Sequence, residues 1–154
     1  MRYAVTSRTV GPLTLASFRV STHAKDIPTT WKPALDVVWA FLRQNQVPNT
    51  GRNVFLYHHS NEHNNGALVV DFGVEVLNRF EAQSQVRCVE TPEGEIVQTT
   101  HFGSYSQIPE AHAAIHQWCR TQQRRIADAS WEIYGHWNND PEKLETTICY
   151  LLAK

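Results

Sequence analysis

The sequence predicts an α+β domain made by tandem duplication of a βαββ unit, with one antiparallel floor of strands and both helices on one face. Two observations predict it: the chain repeats itself, and each copy changes hydrophobic period from two to about 3.6 and back. A shift of 77 residues lays VFLYHHSN (54–61) over WEIYGHWN (131–138), so Tyr57 falls on Tyr134, His59 on His136 and Asn61 on Asn138. The same shift puts Ala34 on Ala111, Val38 on Ile115, Phe41 on Trp118 and Arg43 on Arg120. Farther upstream VSTHA (20–24) sits near TTHFG (99–103) with a one-residue slip. Agreement over three elements points to a duplicated unit.

In the first copy LTLASFRV (13–20) reads as a strand after a Gly-Pro turn. A helix is expected from about Thr30 to Gln44, because Trp31, Leu35, Val38 and Leu42 recur at helical spacing and Pro33 suits a first turn. NVFLYHH (53–59) is a strand, NNG (64–66) supplies positive-φ turn residues, and ALVVDFGVEV (67–76) returns. In that last strand Leu68, Val70, Phe72, Val74 and Val76 share one face, and Asp71 and Glu75 the other.

The second copy begins with a strand near 86–90 that turns through TPEG (91–94) into EIVQTTH (95–101). A helix is expected from about Pro109 to Gln122, with Ile108, Ile115 and Trp118 inward. WEIYGHW (131–137) is a strand, NNDPEKLE (138–145) a turn and TTICYLL (146–152) the closing strand. The chain thus reads as a single domain over 1–154, with repeats at about 13–76 and 86–152 joined by NRFEAQSQ (78–85).

With 154 residues the chain has enough material for a real core. Its 42% hydrophobic and 19% charged residues are those of a globular protein. The 14 basic and 15 acidic residues leave a net charge of −1, and the basic ones are scattered, so direct nucleic-acid binding is not expected. The 3 cysteines stand far apart with no CxxC, as for reduced thiols, and no apolar run is long enough for a membrane span or signal peptide. A cytoplasmic protein is expected.

WEIY (131–134) puts one acid in an apolar strand. Alternation sends Trp131 and Ile133 to one face, Glu132 and Tyr134 to the other. An acid there is either an ordinary solvated residue or part of a site.

The second half resembles the GyrI-like small-molecule-binding domain, found in effector-binding regions of AraC-type and MerR-type drug-responsive activators and in the DNA gyrase inhibitory protein. HFGSY (101–105), the helix after it, WEIY (131–134) and DPEKLETTICY (140–150) carry the likeness. Ser104 stands where the family usually has proline, and the closing strand lacks the usual proline near its end. The resemblance implies a ligand cleft between the repeats about a pseudo-two-fold axis, with Glu132 at its floor meeting lipophilic cations. The duplication adds that Phe55 and Tyr57 are the first-repeat equivalents of Glu132 and Tyr134, so all four side chains are expected to share one space. Tyr105 and Trp137 complete the expected ligand-binding set, with core packing as the competing reading for both and for Trp31.

His112 and His116 stand at zinc-compatible helical spacing but without an HExxH glutamate or a third ligand, and HHSNEH (58–63) runs into a polar turn. No metal and no cofactor is expected. Cys119 reads as a small core residue, and no GxSxG, P-loop or GxGxxG is present. The expected function is a stand-alone protein that binds or sequesters small lipophilic, cationic or heteroaromatic compounds, as multidrug-binding transcription regulators do. Two alternatives stay open. One, which the resemblance also implies, is a hydrolase of reactive cyclopropane-type compounds, with Glu132 as general base on water, its carboxyl raised by burial, and Tyr134 or Tyr105 positioning it. The other is a protein partner role, with a transcription regulator or with gyrase.

Overall fold

The protein, described here from a computed structural model, is traced over residues 3–59, 67–83 and 85–154. The elements run β1 (Thr6–Val10), β2 (Thr14–His23), α1 (Ile27–Gln44), β3 (Asn49–His58), β4 (Ala67–Val76), β5 (Arg87–Glu90), β6 (Gly94–Phe102), α2 (Ile108–Thr121), β7 (Ile126–Tyr134) and β8 (Glu145–Leu152). The eight strands form one sheet in the order β1-β6-β8-β7-β3-β4-β2-β5, antiparallel at every pairing. The expected turn at NNG (64–66) lies outside the described residues.

This order is symmetric about the β3–β7 seam, which places β2-α1-β3-β4 against β6-α2-β7-β8. Across the seam Val54 pairs with Ile133, Phe55 with Glu132 and Leu56 with Trp131. Phe55 and Glu132 are repeat equivalents and also direct partners, so the pseudo-two-fold passes between them.

Two sheet faces follow from strand alternation. Phe55, Val70, Phe72 and Val74 pack with Ala34, Leu35, Val38 and Leu42 of α1. Val97, Ile148 and Tyr150 pack with Ile108, Ala111, Ile115 and Cys119 of α2. On the far face Leu15, Val54, Leu56, Ile96, Trp131 and Cys149 form a second buried layer, covered in part by Val10, Leu13 and Val89. Burying each such side chain is worth roughly 1.5–3 kcal/mol.

Three expectations need correction. First, the strand near 86–90 does not turn back onto β6. It crosses to pair with β2, while the unforeseen β1 pairs with β6, so the two repeats exchange their entry strands. The Thr91 hydroxyl, accepting from the Leu13 amide at 2.8 Å, ties the two crossing connections.

Second, α1 begins at Ile27, not Thr30, and Pro33 lies inside it rather than in its first turn. The repeats are offset by 81 residues at the helix starts, Ile27-Pro28 against Ile108-Pro109, and by 77 at the helix ends. Gln46 (φ 52°) and Gln123 (φ 55°) mark those ends as equivalent left-handed residues. The α1 helix has 18 residues and α2 has 14, a difference of about one turn.

Third, VSTHA does not match TTHFG. The registers Phe18–Phe72 in one repeat and Thr99–Ile148 in the other make Val20, not His23, the counterpart of His101. The two alignments differ by three residues, and an odd shift in a strand would exchange the two faces, which burial forbids.

Candidate functional site

Alternation places Glu132 and Tyr134 of β7, and Phe55 and Tyr57 of β3, on the helix side of the seam. Glu132 is only 6% exposed. Its Oε1 accepts from the Tyr57 hydroxyl at 2.9 Å and from the Tyr134 hydroxyl at 2.5 Å. Its Oε2 lies 2.6 Å from Nε2 of His112, whose Nδ1 lies 2.6 Å from the Tyr150 hydroxyl. A carboxylate only accepts, so Nε2 of His112 carries the proton it shares with Glu132.

Aromatic rings frame the acid. Phe55 meets Tyr134 edge-on at 4.9 Å between centroids, and Trp31 of α1 lies 6.3 Å from Phe55. Tyr105 stands edge-on to Tyr134 at 5.7 Å and 6.3 Å from Trp137. The inner rings are covered, whereas Trp31, Tyr105 and Trp137 are 37%, 38% and 70% exposed and form the rim. The six expected residues are therefore neighbours in a chain of contacts. Trp131 is not one of them: it is buried on the opposite face.

The loop before α2 delivers Tyr105. Buried His101 bonds through Nε2 to the Ser104 carbonyl at 2.8 Å and through Nδ1 to the Tyr3 hydroxyl at 2.9 Å. A carbonyl cannot donate, so Nε2 carries the proton and Nδ1 accepts from Tyr3. Gly103, at φ +130°, makes the bend, and its amide donates to the Leu144 carbonyl at 2.9 Å. Ser104 caps the short 3-10 turn at Tyr105–Gln107 by accepting from the Ser106 amide.

The electrostatics differ from expectation. Burial pushes the Glu132 carboxyl up, but the hydrogen bond and charge of His112, with the Tyr134 and Tyr57 hydroxyls, outweigh it and hold the group below its ordinary value. A raised carboxyl is thus corrected to a depressed one: the group is buried but fully hydrogen-bonded. Burial and the Glu132 charge push the Tyr57 and Tyr134 phenols up, so both stay protonated donors. The Tyr150 phenol is pushed up to about 12 by burial first and the Glu132 charge second.

Sequence reading missed His112 and Tyr150 as partners of this acid. The available signal was their spacing: His112 follows Ala111 on the inward stripe of α2, and Tyr150 shares a face with Ile148. His116 lies 5.2 Å, centroid to centroid, from Tyr150, without a metal geometry. No group of three or more His, Cys, Asp or Glu fit to hold a metal occurs among the described residues. His58 and His59 bond instead to Asp71 and Ser130, and the rest of HHSNEH lies outside the described residues. No helix among those residues is long and apolar enough to cross a membrane.

Several solved structures share this architecture. The C-terminal domain of EcmrR superposes with a TM-score of 0.80 at 18% identity, over 100% of this chain and 99% of its own. SAV2435 bound to tetraphenylphosphonium gives 0.73 at 12% identity, over 99% and 94%. A hydrolase from Listeria innocua gives 0.67 at 16% identity, over 97% and 91%. No curated protein sequence matches the chain. The family model for the GyrI-like small molecule binding domain matches residues 4–152. With that match across both repeats and the seam between them, the chain belongs to the GyrI-like small-molecule-binding domain family.

Proposed function

We propose that this chain binds small lipophilic cations on the helix side of the seam, with rings against the aromatic frame and the positive centre directed at Glu132. The observation that carries this reading is the buried, depressed carboxyl of Glu132 inside a frame of Phe55, Tyr57, Tyr134 and Tyr105. A buried carboxylate needs positive charge and donated hydrogen bonds. Here His112, Tyr57 and Tyr134 supply the donated bonds, and a ligand cation would supply the positive charge. The rings add cation–π attraction of about 0.5–2 kcal/mol each. The SAV2435 structure, with its bound tetraphenylphosphonium, supports the reading by likeness of fold. Sequestration of a toxic compound and effector sensing for a transcription regulator both fit such a site.

The test is titration with tetraphenylphosphonium, read by intrinsic fluorescence of the rim tryptophans. Glu132→Gln keeps the shape and removes the charge. A lost charge-assisted contact of about 1.5–3 kcal/mol weakens the cation by roughly 10- to 150-fold. Neutral triphenylphosphine oxide should lose far less. Equal affinity of wild type and variant for the cation would sink the reading.

One observation favours a second reading, hydrolysis of a reactive small molecule: Tyr150, His112 and Glu132 form a chain within proton-transfer reach. The depressed carboxyl makes Glu132 a weak base, so binding is the stronger reading. Mass spectrometry of an incubated electrophile distinguishes the two by the presence of product.

A further inference from the structure

We infer that the sheet face opposite the helices carries a second binding site, one for a small organic anion with a carboxylate or phosphate head. A cavity of about 540 Å³ opens there, floored by Trp131, Ile133 and Cys149 and walled by Gln98, Thr100 and Thr147. Arg8 of β1 and Arg52 of β3 line its rim. Among the described residues the arginines in ion pairs are Arg19, Arg79 and Arg124, and Arg8 and Arg52 pair with no acid there.

The pseudo-two-fold shows why this hollow exists. In the first repeat the equivalent place is filled by an internal anion. Asp71, fully buried, accepts from Ser17 at 2.7 Å and from both Arg19 nitrogens at 3.0 and 2.9 Å. His58 Nε2 lies 2.8 Å from its second oxygen. The registers Arg19–Asp71–Leu56 and Thr100–Thr147–Ile133 make these triplets equivalent. The second repeat therefore has Thr147 for Asp71, Thr100 for Arg19, Gln98 for Ser17 and Gly135 for His58. Every group of the anion cluster is replaced by a neutral or smaller one, so the space stays open.

The cations have moved instead to the rim. Arg8 is the counterpart of Val89, and Arg52 that of Ala129, both of which pack on the far-face core. The hollow beside the second repeat is thus lined by guanidiniums from β1 and β3 and by hydrogen-bonding side chains but by no acid, where the first repeat has a carboxylate built in. A ligand carboxylate or phosphate would complete it with charge-assisted bonds, while Trp131 and Ile133 receive an apolar body. The Cys149 thiol in this floor is pushed up to about 12 by burial, so it stays protonated and offers no competing negative charge.

This site stands apart from the helix-side slot and does not depend on it. The experiment is titration of the ¹⁵N-labelled protein with benzoate, inorganic phosphate and benzyl alcohol, read from amide shifts. Saturable shifts are expected at Thr100, Thr147 and Arg52 with benzoate, and none with benzyl alcohol. Arg8→Gln with Arg52→Gln should weaken benzoate about tenfold or more while leaving tetraphenylphosphonium affinity unchanged. Thr147→Asp, which installs the first repeat's acid, should abolish benzoate binding. Phosphate binding without benzoate binding would support the anion site and assign the phosphate head. Equal shifts with benzyl alcohol, no saturable shifts with either anion, or benzoate affinity unchanged in both variants would each overturn it.

Discussion

Glu132 and His112 stand 20 residues apart in the chain and 2.6 Å apart in space, on a strand and a helix of the same repeat. The acid at the seam therefore already holds a hydrogen-bond donor of the protein. Any ligand cation competes with it for Oε2.

His112→Gln removes the imidazole that a ligand cation would have to displace from Oε2. Tetraphenylphosphonium should then bind about three- to tenfold more tightly at neutral pH. In the wild type, cation binding should persist until pH falls through the depressed Glu132 value, below the ordinary 4.5. In the variant the carboxyl loses the partner that most favours its ionised form, so binding should fade at a higher pH. Fluorescence titration between pH 3 and 7 measures both; weaker binding in the variant throughout would contradict the competition.

Asp71 makes the fold pH-dependent in its own way. Burial raises this carboxyl, but the bonds from His58, Arg19 and Ser17 outweigh it and lower the group from 3.8 to about 2. A depressed folded value stabilises above the unfolded one, and that stability is lost as pH falls through about 2. The shift is worth about 2 kcal/mol at neutral pH, and roughly half of that should be gone at pH 3. Asp71→Asn should cost about 3 kcal/mol in urea unfolding at pH 7, with a smaller gap from wild type at pH 3.

The two tryptophans of the WEIYGHW strand should separate stability from binding. Trp131→Ala opens a hole in the far-face core and should cost about 3–5 kcal/mol. Trp137→Ala, at an exposed rim position, should stay within about 0.5 kcal/mol of wild type but weaken cation binding. Thermal unfolding together with tetraphenylphosphonium titration checks the pair.

Gly103→Ala places a Cβ at φ +130°, a region L side chains rarely adopt. The strain should cost about 1–3 kcal/mol and displace Tyr105 from Tyr134. Lower thermal stability with lower cation affinity is the expected result; unchanged affinity would remove Tyr105 from the rim.

The sequence by itself determined which side chains share a face. Strand period two separates Glu132 and Tyr134 from Trp131 and Ile133, and the helical stripe Ala34, Val38, Leu42 matches Ala111, Ile115, Cys119, because burial permits only one phase in each element. The duplication was legible for the same reason, although a fixed shift hid the extra helical turn of α1 and produced the false match of VSTHA to TTHFG. The tertiary structure alone decided the exchange of β1 and β5, since strand pairing between distant segments leaves no local pattern. It alone decided the state of Glu132. A buried acid rises or falls according to which donors reach it, and His112 and Tyr57 arrive from elements 20 and 75 residues away. It also decided that the equivalent places beside Asp71 and Thr147 differ, one filled and one open, because that depends on side chains from several strands meeting across the sheet.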